Sequence, residues 1–241
     1  MQYNKIILYI TTFNNKDKLE QLLSDLSLQT CQAFQVVVVD AASTDDTTDS
    51  LKAYQSRLNI KFISRQDTGI YYGLNTAIEL MDGGHCLCLG SDDRIYNKEF
   101  ISQLHRYDMC ETKIYYTNIT IDSHNQKRTK NFPDPVRFQQ LYGGLAHLHH
   151  QSILIPFWLL KQLKYNVIFE TYADLDLILR SQKHADLEKI NINGVCFNAS
   201  GVSSSIRTAL SRFKEILTIR RMNGLRPFNL RVLYSLMRQI F

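Results

Sequence analysis

An α/β domain built on a mostly parallel central sheet is the fold class this sequence predicts, and three observations predict it. Two short apolar, β-branched runs, Lys5 to Thr11 (KIILYIT) and Phe34 to Asp40 (FQVVVVD), have the unbroken hydrophobicity of strands buried on both faces of a sheet. Between them Leu19, Leu22, Leu23 and Leu26 recur at helical spacing, so the chain opens as strand, helix, strand. A further apolar run, Cys86 to Leu89, leads through Gly90 and Ser91 into two adjacent carboxylates, Asp92 and Asp93. Neighbouring acids repel unless a cation or hydrogen-bond donors compensate them, and carboxylate oxygens suit hard divalent ions.

The elements follow in order. The loop after the first strand, Thr12-Phe13-Asn14-Asn15, contains no glycine, which excludes the Gly-rich phosphate loops of dinucleotide-binding and Walker folds. Asp40 ends the second strand, and the polar segment Ala41 to Thr47 is suited to capping a helix over roughly 47–57. Asn59 to Ser64 reads as a third strand. Arg65 to Tyr72 then opens a helix whose apolar face is Leu74, Ile78 and Met81. Asp40, Asp67 and the Asp92-Asp93 pair all fall at or just after strand ends, where open α/β sheets bind ligands, so they are expected to converge on one crevice.

Beyond residue 95 the pattern is less regular. Lys113 to Ile121 reads as a strand, and Asp122 to Pro135 as a polar connection without periodicity. Gly143 to Gln151 precedes a strand-like Ser152 to Ile155. Its histidines, His147-x-His149-His150, lack the helical spacing or cysteine partner of a zinc site. Glu170 to Arg180 starts with acids and ends in Arg, the charge order that a helix dipole favours. Lys189 to Phe197 is a final strand.

Composition sets the outer bounds. The 241 residues, 44% hydrophobic, suffice for one sizeable core. No run approaches the roughly 20 apolar residues of a membrane span, and the N-terminus lacks a secretory pattern, so a cytoplasmic protein is expected. Five cysteines without a C-x-x-C pair indicate neither a disulfide framework nor a zinc knuckle. The net charge of +5 is uneven: from Ile206 to Phe241 eight Arg or Lys face one acid, Glu215, so this tail carries +7 and the rest of the chain −2. Leu210, Phe213 and Leu217, then Leu230, Leu233, Met237 and Ile240, recur at helical intervals among the arginines. Basic amphipathic helices broken at Gly224 to Pro227 suit an anionic membrane surface, and a helix packed on the body with a solvated Arg face explains the same pattern. No nucleic-acid recognition motif accompanies the charge.

Ile10 to Asn14, Gln29-Thr30 with Phe34 to Asp40, Ser43 to Thr47, Asp67-x-Gly69-Ile70-Tyr71 with Asn75, and Ser91-Asp92-Asp93 together resemble the successive blocks of family 2 glycosyltransferases. The resemblance covers roughly 3–205 and is strongest before residue 95. It implies a single GT-A-type domain over 1–205, with a nucleotide-binding half (1–95) and an acceptor-side half (96–205), followed by the helical tail 206–241. It also implies that Thr11, Thr12, Phe13, Asp40, Asp67, Gly69, Asn75, Ser91 and Asp92 face a nucleotide-sugar donor. The family's D-x-D motif aligns with Gly90-Ser91-Asp92, so a Mn²⁺ or Mg²⁺ ion would rest on Asp92 and Asp93. The family's catalytic base corresponds to Asp174, with Ala173 where a Glu is usual and Asp176 as a second candidate, and His150 of the His150-Gln151 pair belongs to the acceptor side.

The resemblance thus implies an inverting transfer of a sugar to an acceptor hydroxyl, lipid-linked or on an oligosaccharide, in polysaccharide synthesis at the inner face of the cell membrane. A sugar-phosphate nucleotidyltransferase is the nearer alternative, but it would carry a glycine-rich basic loop where Thr12 to Asn15 stand. A catalytically silent nucleotide- or membrane-binding module is the other, suggested by Gly90 and Ala173.

Overall fold

The computed structural model describes residues 5–66, 69–123, 126–132, 148–198 and 209–225. Its centre is β1 (Ile6–Thr12), flanked on one side by β2 (Gln35–Asp40) and then β3 (Ile60–Ser64), and on the other by β4 (His85–Gly90), all parallel. The side chains of Ile6 to Ile10 and Val36 to Val39 are almost wholly buried, as unbroken apolar strands covered on both faces must be. The covering helices are α1 (Lys16–Ser27), α2 (Thr47–Tyr54) and α3 (Ile70–Leu80). α1 presents Leu19, Leu22, Leu23 and Leu26 to the core, and α3 presents Leu74, Ala77 and Ile78.

After β4 the sheet changes character. The strands named in sequence order β5 (Lys113–Ser123), β6 (Gln126–Lys130), β7 (Ile153–Pro156) and β8 (Asp186–Asn198) extend it. β7 lies antiparallel to β4, β5 antiparallel to both β7 and β6, and β8 runs parallel along β5 with register shifts. The single mixed sheet flanked by helices is the architecture expected from the sequence.

The connection expected over 122–135 instead contains β6. Its sequence, QKRTK, is exposed at nearly every position, so it pairs through its backbone with β5 and offers no apolar alternation to read. Two short helices also stand where none was anticipated, α4 (Phe100–His105) and α5 (Phe157–Leu163). β8 passes close enough to α4 that a Cβ at Gly194 would lie 2.1 Å from the Phe100 ring, so only glycine fits there. The last described helices are α6 (Ala173–Ser181) and α7 (Ala209–Met222). About three turns along α7 Ile219 is buried, and so is Asn223 just past its end. Among the described residues no helix is long and apolar enough to cross a membrane.

Candidate functional site

The carboxyl ends of β1, β2 and β4 are stitched together by the glycine-free loop. Asn14 adopts a left-handed conformation (φ 45°), which asparagine tolerates better than most residues. From there its backbone N–H donates to Ser43 Oγ (2.8 Å) and its Oδ1 accepts from the Thr44 N–H (2.8 Å). Asn15 Nδ2 donates to Ser91 Oγ (2.8 Å), tying the β1 loop to the β4 loop. Thr11 is half-buried and Thr12 buried, and the carbonyl of Thr12 accepts from Ala41 N (2.9 Å), while Phe13 projects with 61% of its surface exposed.

Two residues expected to face the donor have other work. Asp40 is fully buried: its Oδ2 accepts from Ser64 Oγ (2.6 Å) and Ser43 N (3.1 Å), and its Oδ1 from Ser43 Oγ. Both oxygens thus take part in shaping the loop, a role beside the donor contact expected from the sequence. Asn75 closes a two-way clamp on Tyr165, donating to its carbonyl (2.9 Å) and accepting from its N–H (2.8 Å), and so links α3 to the segment after α5. Asp67 lies outside the described residues. Gly69, at φ 153°, is the residue before α3 and holds a conformation that favours glycine.

Asp92 and Asp93, equivalent on paper, diverge in space. Asp92 has 27% of its side chain exposed, with Lys18 Nζ 3.8 Å and Asn198 Nδ2 3.3 Å from its Oδ2. Asp93 is fully buried; its Oδ2 accepts from Gly90 N (2.7 Å), its Oδ1 has no partner, and burial pushes its carboxyl up to about 7. Asp92 is thus the more open of the two expected metal ligands, while Asp93 closes the turn with one oxygen and leaves the other without a partner. Among the described residues no cluster of three His, Cys, Asp or Glu could hold an ion. The donor set fits a divalent cation only as a shared site, one carboxylate supplemented by the oxygens of a bound diphosphate.

The third group comes from the other half of the sheet. The β4–β7 register pairs Leu87 with Leu154, which brings the short 3₁₀ turn His150–Ser152 beside the carboxyl end of β4. There His150 Nδ1 lies 2.9 Å from Asp174 Oδ2 at the start of α6, both side chains partly open to solvent. Burial opposes the charged imidazole, but the hydrogen bonds and charges of Asp174 and the Cys88 sulfur outweigh it and hold His150 well above its ordinary value. Burial likewise opposes the charged carboxylate, yet the bond and charge of His150, with backbone N–H donors, hold Asp174 below the usual carboxylate range. Tyr71 approaches Asp174 Oδ1 at 3.5 Å and stacks on Tyr165, whose hydroxyl meets that of Tyr9 at 2.7 Å.

Asp176 is not available as a substitute base. It is fully buried, its Oδ2 accepts from Arg180 Nε (2.7 Å) and its Oδ1 from Asn223 Nδ2 (3.1 Å). Sequence reasoning missed Lys18, Cys88, Tyr71, Asn198, Glu215 and Asn223. Tyr71, in the block Gly69-Ile70-Tyr71, and Cys88, in the apolar run before the paired acids, stood within recognisable patterns without a role of their own.

The sequence matches Glycosyl transferase family 2 over residues 7–163, and the chain belongs to that family. It is 27% identical over 177 residues to a PGL/p-HBAD biosynthesis glycosyltransferase of Mycobacterium tuberculosis, covering 71% of this chain and 67% of the relative. Against the chondroitin synthase of Escherichia coli it is 25% identical over 208 residues, 84% of this chain but only 30% of that protein. In structure it is similar to residues 1–349 of Staphylococcus aureus TarS, crystallised with UDP-GlcNAc: TM-score 0.73, 18% identity, 98% of this chain and 71% of the other. It is also similar to the mannosyltransferase PcManGT from Pyrobaculum calidifontis in complex with GDP-Man and Mn²⁺, at TM-score 0.65 and 12% identity, covering 100% of this chain and 70% of the other. These likenesses define the fold as that of GT-A glycosyltransferases.

Proposed function

We propose that this chain transfers a sugar from a nucleoside diphosphate sugar to an acceptor hydroxyl with inversion at the anomeric carbon, in polysaccharide synthesis. The observation that carries the reading is Asp174: a carboxylate kept ionised by His150, partly open, and with its neighbour Asp176 sealed. Inverting displacement needs one base and no enzyme nucleophile, a task that one partly open carboxylate can meet.

In this reading Asp174 Oδ1, the oxygen not bonded to His150, accepts the proton of the acceptor hydroxyl as it attacks. His150 fixes the carboxylate's orientation and keeps it charged. The stitched loops of Asn14, Asn15, Ser43 and Ser91, supported from below by Asp40, set the shape against which the donor lies, contributing through orientation. Asp92 would hold a divalent cation shared with the diphosphate, and that ion would supply Lewis-acid neutralisation of the leaving group's charge. The complexes of TarS with UDP-GlcNAc and of PcManGT with GDP-Man and Mn²⁺ support the donor class and the ion. The tail's basic residues, of which Lys214 and Arg221 are exposed on α7, support reversible attachment to an anionic membrane that presents a lipid-linked acceptor.

The test is a screen of UDP-, GDP- and dTDP-sugars with Mn²⁺ or Mg²⁺, reading nucleotide release and the anomeric configuration of the first product by NMR. Inversion with one donor class is expected. Retention would sink the single-base reading, and release from no donor would favour a silent binding module. Membrane attachment is checked by co-sedimentation with anionic and neutral vesicles: binding only to the anionic ones, falling with salt and weakened by K214E/R221E, is expected.

A further inference from the structure

Of the segment read as a basic tail, α7 reaches the residues just before Asp174. Three consecutive backbone N–H groups, those of Glu170, Thr171 and Tyr172, converge on one carboxylate: Glu215 Oε1 accepts from Glu170 (2.8 Å), and Oε2 from Thr171 (3.0 Å) and Tyr172 (3.1 Å). Tyr172 is the residue that caps α6, and its own side chain makes no capping hydrogen bond. The helix that carries Asp174 near its first turn thus has its N-terminal anion supplied from 44 residues away. The same short segment is gripped from the opposite side, where Tyr71 Oη donates to the Thr171 carbonyl (2.6 Å). Eight residues along α7, Asn223 Nδ2 reaches Asp176 Oδ1, securing α6 from the tail a second time. Ile219, between the two, is fully buried.

We infer that Glu215 is a positioning residue for the reaction: by holding the backbone of 170–172 from α7, it sets where the Asp174 carboxylate stands relative to His150 and the acceptor. The inference rests on the reading of Asp174 as the base. A carboxylate clamped to three donors of one turn suits this task better than an apolar contact does. It fixes direction as well as position, and its charge complements the positive end of α6. An acid placed there is also costly to remove, since three N–H groups lose their acceptor together.

The experiment uses the full chain with Glu215→Ala and Glu215→Gln, together with Leu104→Ala in α4, a fully buried residue remote from the site, as a variant matched for loss of stability. Steady-state kinetics, donor affinity by calorimetry and amide hydrogen exchange at Thr171 and Tyr172 are read on each. Glu215→Ala is expected to lower kcat by about 10-fold to 100-fold, the size of effect that misplacing a reacting group by about 1 Å produces. Donor Kd should stay within about twofold, and exchange at the two amides should accelerate. Glu215→Gln keeps one acceptor oxygen and should fall between Ala and the parent. It also serves as the test if the Ala variant does not fold. Leu104→Ala should lose stability but keep kcat. The inference is overturned if Glu215→Ala folds with unchanged kcat, if its kcat falls no further than that of Leu104→Ala, or if kcat and donor affinity fall together. Asp174→Asn, run alongside, separates the two readings: retained turnover there removes the base assignment, whereas lost turnover there with an unaffected Glu215→Ala removes only the positioning role.

Discussion

The two halves of the sheet build their parts of the site by different means. In the proposed donor half, β1 to β4 are parallel, with β1, β2 and β4 buried, and the loops at their ends are held by contacts between neighbouring loops, Asn14 to Ser43 and Thr44, Asn15 to Ser91. In the acceptor half, Asp174 stands on a helix secured by residues far away in sequence: Tyr71 from α3, His150 from the turn before β7, Glu215 and Asn223 from α7. The first arrangement makes the donor surface a property of the sheet itself. The second makes the proposed base depend on the docking of three separate segments against α6, so distant substitutions should disturb turnover more readily than donor binding.

The largest expected effect sharpens this contrast. Asp174→Asn is nearly isosteric and should lower kcat by about 10²-fold or more while donor affinity, measured by calorimetry, is kept. Equal losses in both would erase the division between the halves. Next, Asp40→Ala strips the acceptor from Ser43 and Ser64 in a buried turn and should cost on the order of 3 kcal/mol in urea unfolding, with a weaker donor Kd. A loss of donor affinity without loss of stability would mean that Asp40 touches the donor directly.

The pH dependence probes the acceptor half alone. Asp174 is depressed when folded, so its contribution to stability is present above the unfolded carboxylate value, about 3.9, and is lost as pH falls through its lower folded value. His150 is raised when folded, so its contribution is complete below about 6.5 and is lost as pH rises through its higher folded value. The pair thus stabilises most between roughly pH 4 and 6.5. In His150→Ala this dome should vanish from urea unfolding free energies measured from pH 3 to 9. The acidic limb of kcat should also move to higher pH, because only the backbone N–H donors then oppose the effect of burial on Asp174. The smallest effect is that of Asn75→Ala, which opens the clamp on Tyr165 and should cost about 1–2 kcal/mol in unfolding with donor affinity unchanged.

The same division governs what could be read from the sequence. β1, β2 and β4 announce themselves as unbroken apolar runs because burial on both faces leaves no other choice, and acids at strand ends mark the crevice. β6 hides because QKRTK is exposed and pairs only through its backbone. Asp92 and Asp93 are the same residue type one position apart, and only the turn's geometry sends one outward and the other under Gly90. The role proposed for Asp174 comes from the resemblance. Its support was not legible, since Glu215 binds backbone N–H groups, which every residue but proline carries and no side-chain pattern records.

Tyr9 and Tyr165 carry one more consequence. Their hydroxyls meet at 2.7 Å inside the core, on the central strand of the donor half and on the segment that Asn75 clamps. Each is the other's partner, so replacing either one by Phe strands a buried hydroxyl, whereas replacing both removes the polar pair altogether. Single changes at these positions are therefore costlier than the double change. In descendants of this chain the two tyrosines should be inherited as a unit, kept together or lost together, so that the seam between the halves is also a link in their heredity.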